Sequence, residues 1–187
     1  MAILGKLLKN RRAGDHGLAW HLPNLAAGAT FEVNSPDFTH ESPLPEVHAS
    51  KRIGGRDVSP ALAWTAPDGA AQLLLVIEDP DAPTGLPFVH CVALLEPTLV
   101  ELPRDALRAD DPAPGVSILR SGFGRGYQGP APIKGHGPHR YAFQLFALTE
   151  LITTVGGKPA AKAKPRDVFS AAKAVACGRI DGFYERP

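Results

Sequence analysis

The sequence predicts a mainly β fold, and three observations carry that expectation. Two apolar runs, QLLLVIE (72–78) and FVHCVALL (88–95), each have the length of a strand covered on both faces, and a segment rich in Asp, Pro and Gly separates them. A third run, YAFQLFAL (141–148), mixes aromatic and aliphatic residues as strands do. Glycine and proline number 19 each, 38 of 187 residues, which is below the level of low-complexity chains but enough to punctuate many short strands. This length supports one core, so a single domain over 1–187 is expected, with 1–50 as an N-terminal extension.

The elements follow in order. Residues 3–12 carry a short amphipathic turn of helix, weakened by Gly5 and stopped by Gly14, which reads as a docking arm. From Phe31 to Ser59 the chain is polar and broken by Pro36, Pro43 and Pro45, leaving room only for short edge strands and loop. ALAWTAP (61–67) is a short strand with Leu62 and Trp64 on one face. The runs at 72–78 and 88–95 then form an antiparallel neighbour pair. VSILR (116–120) is another short strand, followed by a long Gly/Pro/His-rich loop over 121–140 of the kind that carries function. After 141–148, RDVFSAAKAVA (166–176) reads as the one long helix: Asp167 stands near its start, Val168, Ala172 and Val175 share a face, and Gly178 stops it. RIDGFYE closes the chain as a last strand.

Composition narrows the function classes. A net charge of +1 without a Lys/Arg stripe gives no field for steering nucleic acid. MAILGKLLKNRRAG turns basic too early to hold the apolar region of a signal peptide, and no apolar stretch is long enough for stable membrane insertion, so the cytoplasm is the default location. Two cysteines, Cys91 and Cys177, in apolar surroundings read as buried reduced thiols.

The segment with most chemical content is DPDAP (79–83). Pro80 and Pro83 hold their preceding residues out of the α region, so Asp79 and Asp81 sit on an extended backbone. In a β conformation the carboxylates share a side, whereas toward polyproline II they splay. The bland alternative is a solvated turn with Asx-type caps. If the flanking strands pair, an aspartate meets His90 near one end of the sheet, and His139 arrives there from the long loop. Two carboxylates and two histidines suit a metal site, paired-carboxylate hydrolysis, or an anion pocket using loop amides. No G-x-S-x-G or H-E-x-x-H supplies a hydrolase signature. GRGYQG (124–129) matches a dinucleotide-binding fingerprint, but Pro130 and Pro132 prevent the helix start that the fingerprint needs.

Together, SPALAW (59–64), LLLVIEDPDAP (73–83), His90 and GYQGPAPIKGHGPHRYAFQLFAL (126–148) resemble the phosphatidylethanolamine-binding protein family, in its bacterial and archaeal branch, over residues 50–186. The resemblance implies an antiparallel Greek-key β-sandwich with a few short peripheral helices and a C-terminal helix. It also implies a non-enzymatic pocket for phosphate, phosphoethanolamine or a similar head group, with no cofactor or metal. Carried over position by position, the ligand-binding residues are Asp79, Asp81, His90, Gly129, Ala131, His139 and Tyr141. Arg140 and Tyr127 are structural supports on this reading. A zwitterionic head group would reconcile the carboxylates with an anion site. As a second reading behind that one, the resemblance permits inhibition of a serine protease or a kinase, and it permits a homodimer. Cys91 stands where an aromatic is common, Ile133 where a second proline is usual and Ala131 where glycine or cysteine is common, so the pocket wall and the loop geometry are points to test.

Overall fold

The computed structural model describes residues 2–65 and 67–186. Its principal elements are helix α1 (Ala2–Leu8), strands β1 (Leu62–Trp64), β2 (Gln72–Asp79), β3 (Phe88–Leu95), β4 (Val116–Ile118) and β5 (His139–Leu148), helix α2 (Pro165–Ala171) and strand β6 (Ala174–Tyr184). Strands β6, β5, β2, β3 and β4 lie side by side in that order and are antiparallel throughout. Two short pieces, Ala29–Thr30 and Ser42–Pro43, add to β6 in parallel and complete a seven-stranded sheet. A three-stranded sheet of Val33–Asn34, β1 and Glu101–Leu102 covers one face.

The continuous apolar runs reflect burial on both sides of the large sheet. Leu73, Leu75 and Ile77 pack with Tyr141, Phe143 and Leu145 against Leu62, Trp64 and Leu102 of the small sheet. Leu74 and Val76 face the opposite way and pack with Phe146, Leu148 and, from α2, Val168 and Phe169. A single-sided sheet would have shown alternating polar residues at these positions. Cys91 belongs to the first cluster and Cys177 to the second, both as free thiols, and burial pushes the Cys91 pKa up to about 12.

One expected element is corrected. The helix expected over 166–176 ends at Ala171, and residues from Ala174 onward already belong to β6. An alanine-rich segment satisfies either structure locally, and here pairing with β5 decides, with Ala176 opposite Ala147 and Cys177 opposite Phe146. Gly178 is therefore not a helix stop. A Cβ there would stand 2.6 Å from the Phe31 carbonyl oxygen, so glycine permits the close approach of the 31–33 segment to the strand. The docking arm is present as α1, and Gly5 has a packing role in it, since a Cβ would stand 2.2 Å from the Lys134 carbonyl oxygen.

Candidate binding cleft at the end of the large sheet

Strands β2, β3 and β5 converge at one end of the large sheet. Asp79 ends β2, and His139 and Tyr141 begin β5. Both strands keep their alternation, so these side chains continue the face that carries Ile77 and Phe143. His90 reaches the same face by another device. Ile77 pairs with Cys91 but Glu78 pairs with Val89, so His90 is the extra residue of a β-bulge. Strict alternation would have placed His90 beside Val92 and Leu94 on the helix-covered face, but Val89 takes that place instead. The His90 ring meets Phe88 at 4.8 Å and Tyr141 at 5.0 Å, both edge-on.

A cleft of about 800 Å³ opens over this end of the sheet, and Asp79, His90, His139, Gly129 and Ala131 all line it. Asp81 and Tyr141 do not; they stand behind the wall. The Asp81 carboxylate accepts the Arg140 amide N–H at 2.7 Å and contacts the Arg12 guanidinium at 2.7 Å. Its own N–H donates to Asp79 Oδ1 at 2.8 Å, closing an Asx-type turn. DPDAP is thus both a capped turn and part of the site, with its two carboxylates committed to different partners. The Gly129 N–H is also committed, to Asp57 Oδ1 at 2.9 Å, and a Cβ at Gly129 would lie 2.4 Å from the His48 carbonyl oxygen. Arg140 and Tyr127 are supports: Arg140 binds Asp181 at 2.5 Å and Glu41 at 2.9 Å, and the Tyr127 hydroxyl donates to the His48 carbonyl at 3.1 Å. Cys91 lies in the sandwich core beside the bulge, while Ile133 and Ala131 line the cleft.

Hydrogen-bond accounting fixes the partners at the closed end. His139 Nδ1 lies 2.7 Å from Asp79 Oδ2, and His139 Nε2 lies 2.7 Å from His136 Nδ1. His136 Nε2 lies 2.8 Å from the Leu8 carbonyl oxygen, which only accepts, so that nitrogen carries hydrogen. With His136 Nε2 donating, the remaining two contacts need two more hydrogens, one between the rings and one between His139 and Asp79. The Asp79 carboxylate is thereby tied into a hydrogen-bonded chain that ends at the Leu8 carbonyl. Asp79 is therefore hydrogen-bonded at both oxygens, to the Asp81 N–H and to His139, rather than presented to the cleft as a free carboxylate.

His90 is the exception to this closed network. Its Nδ1–H donates to the Gln128 carbonyl at 2.6 Å, and Nε2 has no partner among the described residues. Burial pushes its pKa down, against the opposing pull of the Asp79 charge, which favours the neutral ring with Nε2 as a lone pair. Just behind it the Tyr141 hydroxyl is buried with no well-aligned hydrogen-bond partner among the described residues, and burial together with the Asp79 charge holds its pKa well above the usual phenol value. Among the described residues no three of His, Cys, Asp and Glu converge as metal ligands.

Sequence reasoning missed His136, Arg12 and Asp57. His136 left a faint signal, since it stands three residues before His139 across a Gly-Pro turn in GHGPHR. Arg12 and Asp57 left none, because each acts across the fold.

A family model described as phosphatidylethanolamine-binding protein matches residues 34–184. The chain belongs to the phosphatidylethanolamine-binding protein family. Among its relatives in that family, a UPF0098 protein of Aquifex aeolicus is 37% identical over 166 residues, covering 86% of this chain and 92% of the relative. A putative lipoprotein, LppC, of Mycobacterium tuberculosis is 40% identical over 124 residues, covering 65% of this chain and 57% of the relative. The crystal structure of E. coli YbcL, described as a new member of the mammalian PEBP family, superposes with a TM-score of 0.73 at 31% identity, covering 83% of this chain and 98% of that one. The expected mainly β fold of this family is therefore the observed one.

Proposed function

We propose that the closed end of the cleft binds a small anionic or zwitterionic head group of the phosphate or phosphoethanolamine class, without catalysing a reaction on it. The observation that carries this reading is His90: a buried imidazole on the cleft wall, fixed at Nδ1 and without a partner at Nε2 among the described residues, beside an Asp79 whose two oxygens are both hydrogen-bonded. A lone pair at Nε2 favours a ligand that brings a proton. A phosphate monoester supplies it as P–OH, or transfers it to His90 so that Nε2–H donates to the oxyanion. The ammonium of phosphoethanolamine adds a cation for the outward lone pairs of Asp79.

The bound proton sets the sign of the pH dependence. Affinity is high while the ligand or His90 can hold that proton, and it falls as pH rises from roughly 6 to 8, because a phosphate monoester loses its second proton near pH 6. The test is an NMR titration with phosphoethanolamine across this range. The His90 imidazole resonances should shift on binding, the affinity should drop toward pH 8, and His139→Ala should abolish the response by releasing Asp79. Resonances that stay fixed at saturating ligand would falsify the reading.

A further inference from the structure

The closed end occupies only a corner of the cleft, whose volume of about 800 Å³ lies within the range of drug-sized ligand sites. The outer wall has a different chemistry from the floor. Lys51, Arg52 and Arg56 line it, are exposed, and form no ion pair among the described residues. The lining also includes Arg108, already paired with Asp105 and Asp110, and Arg125, which donates to the Ile118 carbonyl.

The segment that carries the three unpaired cations is tightly built. The Ser50 hydroxyl accepts the Arg52 N–H, and the Ser50 carbonyl accepts the N–H of both Ile53 and Gly55. Asp57 holds the segment to the floor, taking the Lys51 N–H on one carboxylate oxygen and the Gly129 N–H on the other. The three cationic side chains are thus carried on an ordered backbone, so binding there costs little further ordering of the segment. Phe88 and Phe123 also line the cleft; Phe123 is 67% exposed and lies 5.1 Å from Phe88, whose ring meets His90 at 4.8 Å.

We propose that Lys51, Arg52 and Arg56 form a second anion subsite, so that the cleft takes an elongated small molecule with an anionic group at each end and an apolar or aromatic spacer between them. This rests on the head-group reading for its inner end only. The guanidinium groups suit a phosphate or carboxylate bidentately, and the exposed Phe123 face suits the spacer.

The test compares a graded series of alkanediol bisphosphates with the matching alkyl monophosphates by calorimetry and NMR. At the best spacer length the bisphosphate should bind about tenfold more tightly, as expected for one or two charge-assisted contacts at a surface. Arg52→Ala/Arg56→Ala should erase that advantage and leave the monophosphate affinity unchanged. Equal affinities at every length, or an advantage that survives in the double variant, would overturn the second subsite. If the bisphosphates shift the amides of 51–56 while His90 stays silent, the subsite stands and the head-group reading fails instead.

Discussion

His139 is held at both ring nitrogens, and its outer partner is the residue that sequence reasoning passed over. Replacing His136 with alanine removes the partner of His139 Nε2 and the donor to the Leu8 carbonyl, leaving a buried nitrogen unpaired. The expected cost is about 1–3 kcal/mol, read as a lower urea midpoint at unchanged slope. An unaltered midpoint would mean that the His136 ring adds nothing that water cannot replace. The contrast with His139 shows what a sequence exposes at this scale. His139 stands in a dense local motif, whereas the Leu8 oxygen that fixes the His136 tautomer is 128 residues away in the chain. His90 was legible as a site residue, but its direction was not, because one bulge in the β2–β3 pairing reverses the face that alternation assigns.

Helix α2 is attached to the sheet by more than its apolar face. Arg166 extends from its first turn to the Gly17 and Pro87 carbonyls and to Glu78 Oε1 at 2.7 Å. That last contact is close but poorly aligned, so Oε1 has no hydrogen bond of good geometry. Glu78 is fully buried on the helix-covered face, and its other oxygen accepts from the Ala19 N–H and from Gln144. Burial pushes its pKa up, with Arg166 opposing. Arg166→Leu therefore strands a carboxylate in the core and should cost about 3 kcal/mol, while Arg166→Leu/Glu78→Gln should recover more than half of that loss. Additive losses in chemical denaturation would show that the two residues do not act as a pair. At this scale the sequence specified the central strands well, since their apolar runs have one structural explanation. It misplaced the boundary between α2 and β6, where alanines and β-branched residues fit either state and the outcome depends on β5.

At the scale of the whole molecule, the N-terminal arm links the two loops that frame the site. The Leu8 carbonyl receives the His136 Nε2–H, Arg12 reaches both the Pro138 carbonyl and Asp81, and the amides of Ala13 and Gly14 donate to the carbonyls of Ala82 and Pro80. That the arm docks was readable, but its apolar pattern is not what docks it: Ile3, Leu4 and Leu7 stay exposed, while Gly5, the Leu8 carbonyl and Arg12 make the contacts. Its docking site was not readable, because every partner lies in DPDAP or in the long loop, far along the chain. These contacts make a specific demand on dynamics. Deleting residues 1–12 removes partners from Asp81, His136 and Pro138, and none of the described side chains in that range belongs to either apolar cluster. Hydrogen exchange should therefore accelerate at 80–84 and 134–140 while the amides of β2, β3 and β5 within the clusters keep their protection. Phosphoethanolamine affinity should fall in the same variant, since Asp79 and His139 would be held less rigidly in their hydrogen-bonded geometry. If exchange instead accelerates evenly across the sheet, the arm is a general stabiliser; if both loops keep their protection, Asp81 and His139 are positioned by the sheet alone.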